Sequence, residues 1–240
     1  MTDNTLEITF SSDGYQLHGV LHLPIEKNPP VVVGSHGLAS DGDSPKQIEL
    51  ARACNRFGIA YFRFHHRGCG ISEGVFSDVT SLENRRQDLL DAVKTALAHP
   101  STGNRLALVG SSMGGTSCIF SSRDLHPEGY VIVAAPVFGN TLTKPPEETS
   151  DAHDLDESFY ERFLSFDMTP YLPNLSNVLI FHGDKDDIVP IKNGQTIYDL
   201  AAEPKRLIVQ KNGDHRISDP KHQEEFIRES SLWFKRCFFG

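Results

Sequence analysis

The sequence has few positive charges and no long apolar run. Lys and Arg number 23 against 32 Asp and Glu, so the formal net charge is −9. No basic stripe is available to neutralise phosphates or anionic headgroups, so we expect neither nucleic acid nor a membrane surface as a partner. No apolar run approaches the ~20 residues that a bilayer-spanning helix needs.

A signal peptide and a disulfide framework are also missing. The opening stretch MTDNTLEITF has neither a basic n-region nor an apolar h-region. The four cysteines show no C-x-x-C spacing and no pairing pattern; they are Cys54, Cys69, Cys118 and Cys237. We interpret them as reduced thiols that pack as small apolar side chains. The expected compartment is the cytoplasm.

What the sequence does contain is a regular alternation of short apolar runs with helical patterns. Two alternating stretches around Asp13-Gly14 predict a hairpin, and PVVVGSHG, IAYFRF, RLALVG, YVIVAAP, NVLIFHG and KRLIVQ predict further strands. Between them, helices are predicted after the S-x-x-Q capping box at Ser44, from about 81 to 99, and from about 220 to 234. The pattern predicts one α/β domain over residues 1–240, a mostly parallel sheet of about eight strands with helices on both faces.

The rhythm breaks between about residues 139 and 173, where we predict a short cap insertion. Phe159, Phe163 and Phe166 recur there at i, i+4 and i+7, a helical stripe. The stripe either docks the cap on the core or also roofs an apolar pocket. Under the second interpretation Phe159 and Phe163 are substrate-pocket residues.

Two stretches fit the nucleophile pattern G-x-S-x-G, one centred on Ser72 and one on Ser112. Such a serine needs a strand, a sharp turn and a helix, with small residues two positions to either side. Ser112 meets every requirement, since RLALV precedes it and Gly110 and Gly114 flank it. Around Ser72 several loop residues follow the strand and VFSDVT has no helical period. Ser111 has the wrong offset, so Ser112 is the predicted nucleophile.

A serine hydroxyl needs a base, and the base needs an orienting acid. LIFHGDKDDIVP is a strand that runs into an acidic turn, and IVQKNGDHRISDP is a strand that runs into a loop containing His215. The chain order is therefore Ser, then an Asp of that turn, then His. At this point Asp184, Asp186 and Asp187 are all candidates for the acid.

With these motifs in this order, the sequence resembles the α/β-hydrolase family over nearly its whole length. The resemblance rests on SHG, RGCGISEG, GSSMGG, HGDKDDIVP and GDHRIS. It is nearest to the compact bacterial esterase-like members that are grouped with serine aminopeptidase-type hydrolases. The resemblance implies an α/β-hydrolase fold, and the family pattern HG-x-x-D-x-x-VP selects Asp186 as the acid.

The resemblance also implies an oxyanion hole made by two backbone N–H groups, those of Met113 and Leu38. Leu38 follows His36-Gly37, and His36 itself is interpreted as holding that loop by hydrogen bonds. The lipase members carry a glycine-rich run here and this chain has Leu38, so their specificity does not transfer. We expect no cofactor and no metal, since H-E-x-x-H is missing and Asp41-Gly42-Asp43 lacks the other ligands of a calcium loop.

The expected function is hydrolysis of a small carboxylic ester through an acyl-enzyme on Ser112, with a small-molecule acyl substrate as the partner. His215 is the expected general base and Asp186 its orienting acid. Three alternatives remain open, namely an acyl thioesterase, an aminopeptidase-type hydrolase and a non-catalytic binding protein with a hydrolase fold.

Overall fold

A computed structural model of the chain describes residues 4–38, 40–139 and 165–240. Its strands are β1 (Thr5–Ser12), β2 (Tyr15–His22), β3 (Val31–Ser35), β4 (Ala60–Phe64), β5 (Leu106–Ser111), β6 (Tyr130–Val133), β7 (Val178–Gly183) and β8 (Lys205–Gln210). They form one eight-stranded sheet in the order β1-β2-β4-β3-β5-β6-β7-β8. The sheet predicted from the sequence is confirmed.

The first two strands form the predicted hairpin. Ser12 pairs with Tyr15, and the turn residues Asp13 and Gly14 have φ values of 47° and 86°. A two-residue turn with both φ values positive favours Asp-Gly, because glycine enters that region without a steric penalty. β2 also pairs antiparallel with β4, whereas every pairing from β4 onward is parallel.

Helices cover both faces of the sheet. They are α1 (Pro45–Asn55), α2 (Phe76–Val79), α3 (Leu82–Ala98), α4 (Met113–Phe120), α5 (Lys192–Leu200) and α6 (Pro220–Phe239). Side chains of α1 and α6 pack in one core, and those of α3, α4 and α5 pack in the other. Successive residues of β3 alternate between the two cores, which is why the buried strands are apolar at every position.

Three local predictions were wrong. α6 continues five residues beyond Phe234, because Phe238 extends the apolar stripe into the core. Phe76–Val79 forms one helical turn where no helical period was seen. The capping box is not made, since the Ser44 side chain accepts no capping hydrogen bond and Gln47 Oε1 instead accepts one from the Tyr61 hydroxyl at 3.1 Å. Tyr61 is buried, so its hydroxyl needs a hydrogen-bond acceptor, and Gln47 provides one.

The predicted cap region begins and ends at neighbouring points of the core. Phe138 forms an isolated bridge with Asp167, and the Gly139 N–H donates to the Phe166 carbonyl at 3.1 Å. Phe166 is half-buried against the core, and a short 3-10 helix follows at Thr169–Asn174. Phe159 and Phe163 lie outside the described residues. Whether the stripe only docks the cap or also lines a pocket is therefore still a prediction.

The burial of the cysteines agrees with the expectation that they pack as small apolar side chains. All four cysteines are free; Cys54, Cys69 and Cys118 are buried as predicted and Cys237 is half-buried. In the described ranges, no helix combines the length and the apolar character needed to cross a bilayer.

Candidate functional site

Ser112 lies in a sharp turn between β5 and α4. Its φ of 52° and ψ of −125° are strained values for a residue with a Cβ. Its N–H donates to the Val133 carbonyl of the neighbouring strand at 2.8 Å. A Cβ added at Gly114 would lie 2.1 Å from the Ser35 carbonyl oxygen, and one at Gly110 would lie 2.4 Å from the Gly114 carbonyl oxygen. Only glycine fits at both flanking positions, so these two residues make the turn possible.

The two competing serines occupy different environments. Ser111 is the last residue of β5 and is exposed. Ser72 is buried, and its hydroxyl donates to the His65 carbonyl at 2.8 Å and accepts from the His18 N–H at 3.0 Å. Both bonds go to main-chain groups, so Ser72 holds its loop against β2.

The structure brings Ser112, His215 and Asp186 into one hydrogen-bonded series. Ser112 Oγ lies 3.1 Å from His215 Nε2, and His215 Nδ1 lies 2.8 Å from Asp186 Oδ2. Asp186 follows β7 and His215 follows β8. The two loops are tied together by the Lys185 N–H, which donates to the Gly213 carbonyl at 3.0 Å. An imidazole with its proton on Nδ1 can therefore accept the hydroxyl proton of Ser112 at Nε2.

The environment of Asp186 keeps its carboxylate charged. Burial alone would raise the pKa of this carboxyl, but hydrogen bonds from His182 and His215 and from main-chain N–H groups outweigh it and lower the pKa well below its usual range. Its Oδ1 accepts from the N–H groups of Ile188 at 3.0 Å and Val189 at 2.8 Å. The Asp186 side chain is fully buried, whereas Asp184 and Asp187 are exposed. Asp186 is the acid that the structure places 2.8 Å from His215 Nδ1.

The loop that contains Leu38 adjoins the Ser112 turn. β3 and β5 are paired with Ser35 opposite Gly110, so the loops after these strands leave the same edge of the sheet. A Cβ at Gly37 would lie 3.6 Å from Ser112 Cβ. Met113 is the first residue of α4, where an N–H has no partner within the helix. The backbone around Leu38 and that of Met113 thus both lie beside Ser112.

Sequence reasoning missed a buried polar network under this loop. α3 contributes Arg85 and Asp88, whose side chains are buried. Asp88 accepts hydrogen bonds from Arg67 Nε at 2.8 Å and Ser12 Oγ at 2.9 Å, and His66 Nδ1 lies 3.3 Å from its second oxygen. The signal was available, because Arg85 follows Leu82 by three residues and so lies on the apolar face of α3. A charged residue on the buried face of a helix needs buried hydrogen-bond or ion-pair partners.

One group of side chains has the composition of a metal site. Asp41, Asp43 and His65 have ligand atoms within 4.8 Å of one another. Each residue already has one ligand atom in another contact, since Arg63 forms an ion pair with Asp43, His65 Nδ1 accepts from the Gly42 N–H at 3.1 Å and Asp41 Oδ1 accepts from the Asp43 N–H at 2.8 Å. We assign no metal to this group.

These features correspond to a known family. The family described as "Serine aminopeptidase, S33" matches residues 26–162, more than half of the chain, and the chain belongs to it. The matched range contains Leu38, Ser112 and Met113 and ends before Asp186 and His215. The protein is therefore a hydrolase of the α/β-hydrolase fold.

Individual relatives and structures agree with this class. YfhR of Escherichia coli (strain K12) is 27% identical over 233 residues, which cover 93% of this chain and 78% of that protein. The mitochondrial palmitoyl-protein thioesterase ABHD10 of Bos taurus is 26% identical over 215 residues, 79% of this chain and 68% of that protein. Est1E from Butyrivibrio proteoclasticus, solved with ferulic acid bound, has a TM-score of 0.83 at 18% identity and covers 97% of this chain and 100% of its own. At this identity, the likeness to Est1E shows a shared fold alone.

Proposed function

We propose that this protein is a serine hydrolase that cleaves a small carboxylic ester through an acyl-enzyme on Ser112. The observation that carries the proposal is the series from Ser112 Oγ through the His215 imidazole to the Asp186 carboxylate, with spacings of 3.1 and 2.8 Å. Both spacings are hydrogen-bond distances, as a nucleophile, its base and the orienting acid require.

In the proposed reaction Ser112 Oγ attacks the ester carbonyl while His215 Nε2 takes its proton. The negative charge that develops on the carbonyl oxygen is stabilised by the N–H groups of Leu38 and Met113. The tetrahedral intermediate then breaks its bond to the alcohol, which leaves with the proton from His215. Water repeats the sequence on the acyl-enzyme and releases the acid. Asp186 stays ionised throughout and stabilises the imidazolium.

Two alternatives have specific support. The name of the ABHD10 relatives favours a thioester, and the description of the family favours a peptide N-terminus. Thioester cleavage needs the same three groups and differs only in the leaving thiolate. An aminopeptidase needs a fixed acidic group for the substrate amine. The acidic residues between 147 and 161 that could supply one lie outside the described residues.

Labelling with a fluorophosphonate probe tests the serine mechanism. We expect the wild-type protein to be labelled on Ser112 and Ser112→Ala to be unlabelled, because the probe reacts with an activated serine hydroxyl. Ser111→Ala is the matched control, since it removes the adjacent hydroxyl and is expected to leave labelling intact. Labelling that persists in Ser112→Ala contradicts the assignment. A wild-type protein that is not labelled supports a binding protein with a hydrolase fold.

A substrate panel separates the three chemistries. Esters, thioesters and aminoacyl amides of the same acyl group are compared by kcat/KM, together with p-nitrophenyl esters of increasing chain length and a feruloyl ester. We expect a short or compact aryl ester to be best. Each methylene that finds apolar contact contributes about 0.8 kcal/mol until the pocket is full. Activity that keeps rising to palmitoyl esters and thioesters would favour the acyl thioesterase instead.

A further inference from the structure

The peptide between Gly37 and Leu38 is held at its carbonyl end by two buried side chains. His36 Nδ1 lies 2.7 Å from the Gly37 carbonyl oxygen, and Arg85 Nη2 donates to the same oxygen at 3.3 Å. Arg85 Nη2 also donates to the His36 carbonyl oxygen. Two consecutive carbonyls of the loop after β3 therefore bind one guanidinium nitrogen.

The hydrogen bonds of His36 fix its tautomer. Its Nε2 accepts from the His66 N–H at 3.0 Å, so the ring proton is on Nδ1 and is donated to Gly37. Burial, with His66 and Arg85 nearby, lowers the pKa of His36 well below its usual range. The imidazole is therefore neutral near pH 7, and it acts as a donor to the loop and not as a second base.

The position of Arg85 is costly for stability. Its side chain is 1% exposed, burial lowers the pKa of its guanidinium against the opposing effect of the neighbouring Cys69, and Nε and Nη1 have no hydrogen-bond partner among the described residues. Asp88, three residues along α3, is already bonded to Arg67 and Ser12 and does not make an ion pair with Arg85 within the described chain. Proteins tolerate such violations of the burial rules at functional sites, so this cost marks Arg85 as a candidate for a role in the site.

We propose that Arg85 and His36 are positioning residues that set the direction of the Leu38 N–H, and so complete the oxyanion hole. The C=O and N–H of a trans peptide point in opposite directions within one plane. Two donors that hold the Gly37 oxygen on the α3 side therefore hold the Leu38 N–H on the other side. Without them the peptide can rotate, and a carbonyl oxygen then faces the developing negative charge. This inference rests on the proposed serine mechanism.

The test compares oxygen esters with thionoesters in Arg85→Met. Methionine keeps an unbranched side chain in the space and removes the donor. Complete loss of one oxyanion donor costs about 10²–10³ in kcat. A misdirected donor should cost about 10- to 100-fold in kcat for the ester and leave KM nearly unchanged. The sulfur of a thionoester is a poor hydrogen-bond acceptor, so the preference for the oxygen ester should fall along with kcat. Arg86→Met is the matched control on the same helix, because Arg86 pairs with Asp124 and not with the loop.

The possible results are distinct. If wild-type protein hydrolyses esters and Arg85→Met keeps both kcat and the ester-to-thionoester ratio, the inference is wrong while the proposed function stands. If Arg85→Met loses its cooperative unfolding transition, the inference is tested with His36→Gln instead. This variant removes the second donor to the Gly37 carbonyl oxygen. An unchanged kcat and ratio in His36→Gln overturn the inference, and a loss confined to kcat with a reduced ratio supports it. If wild-type Ser112 does not react with the probe, it is the serine mechanism that fails.

Discussion

At the scale of single residues, the site depends on side chains whose surroundings hold each of them in one protonation state. Asp186 is surrounded by donors and remains a carboxylate. His36 is buried without a carboxylate contact among the described residues and remains neutral. These two opposite results follow from the same rule, since burial penalises charge unless hydrogen bonds to the charged form compensate. His215 lies between an acceptor at Nδ1 and the serine hydroxyl at Nε2.

Replacing Asp186 with Asn should depress kcat strongly. The amide can present its N–H₂ to His215 Nδ1, which favours the imidazole tautomer with its proton on Nε2, where it cannot accept from Ser112. The corresponding change in a serine protease costs on the order of 10⁴-fold in kcat. The measurement is the steady-state rate with the best ester of the panel.

Asp184→Asn and Asp187→Asn are the matched controls for this experiment. Both carboxylates are in the same turn and are exposed, and Asp184 Oδ1 accepts from the Asn212 N–H at 2.5 Å. We expect each to keep most of the wild-type kcat. Equal losses in all three variants would mean that the turn as a whole, and not Asp186, supports His215.

At the scale of secondary-structure elements, the Ser112 turn was predictable and the network below it was not. The turn has a local signature, because a strand, two small residues at fixed offsets and a helix all lie between Leu106 and Phe120. The role of Arg85 depends on a loop that is almost 50 residues away in the sequence. No spacing rule connects α3 to β3, so only the fold reveals the contact. The capping box failed for the same reason, since Gln47 serves a tertiary contact with Tyr61.

Gly114→Ala should damage the turn itself. The added Cβ would meet the carbonyl oxygens of Ser35 at 2.1 Å and His36 at 2.6 Å, both of them main-chain atoms that cannot rotate away. Overpacking of this kind costs about 1–3 kcal/mol or more, and moving β3 would also displace Leu38. We expect a lower unfolding midpoint in urea together with a large loss of kcat.

Gly115→Ala provides the comparison for that variant. The added Cβ would lie 2.7 Å from the side-chain Cβ of Ala135, 3.1 Å from the Gly110 carbonyl oxygen and 3.3 Å from Ile132 Cγ2, and none of these atoms belongs to β3. It should therefore lose stability without the same loss of kcat in the fraction that is folded. If Gly114→Ala folds normally and is fully active, the close approach of α4 to β3 is not what shapes the site.

At the scale of the whole molecule, the parallel order of the sheet brings the site together. β3, β5, β7 and β8 end at the same edge, and their following loops contain Leu38, Ser112, Asp186 and His215. Strand order cannot be read from one sequence, but the alternation of strands and helices implies parallel strands, and parallel strands imply a shared edge. This is why the site residues could be grouped from the sequence although Ser112 and His215 alone are separated by 103 positions. Their distances and the contacts of α3 needed the structure.

The same architecture buries histidines, and this should make the fold sensitive to mild acid. His66 is fully buried, and burial together with the positive charges of Arg85 and Arg67 lowers its pKa to about 4 from 6.5, although Asp88 acts in the opposite direction. The unfolded chain therefore binds a proton between about pH 6.5 and 4 that the folded chain does not bind, so stability falls as the pH falls through that window. The full shift corresponds to on the order of 3 kcal/mol. Asp88, with a pKa lowered to about 2 by its hydrogen bonds despite burial, adds a further loss only below about pH 4.

Urea unfolding at pH 7.5, 5.5 and 4.5 measures this effect. We expect His66→Gln to be less stable than wild type at pH 7.5, because the bonds to Ser35 and Asp88 are weakened. Its stability should nevertheless change less between pH 7.5 and 4.5, since the group that resists protonation is gone. His126→Gln, which removes an exposed histidine, is the control and should keep the wild-type slope. A His66→Gln slope equal to that of wild type would show that protonation of other groups, and not of His66, destabilises the fold in acid.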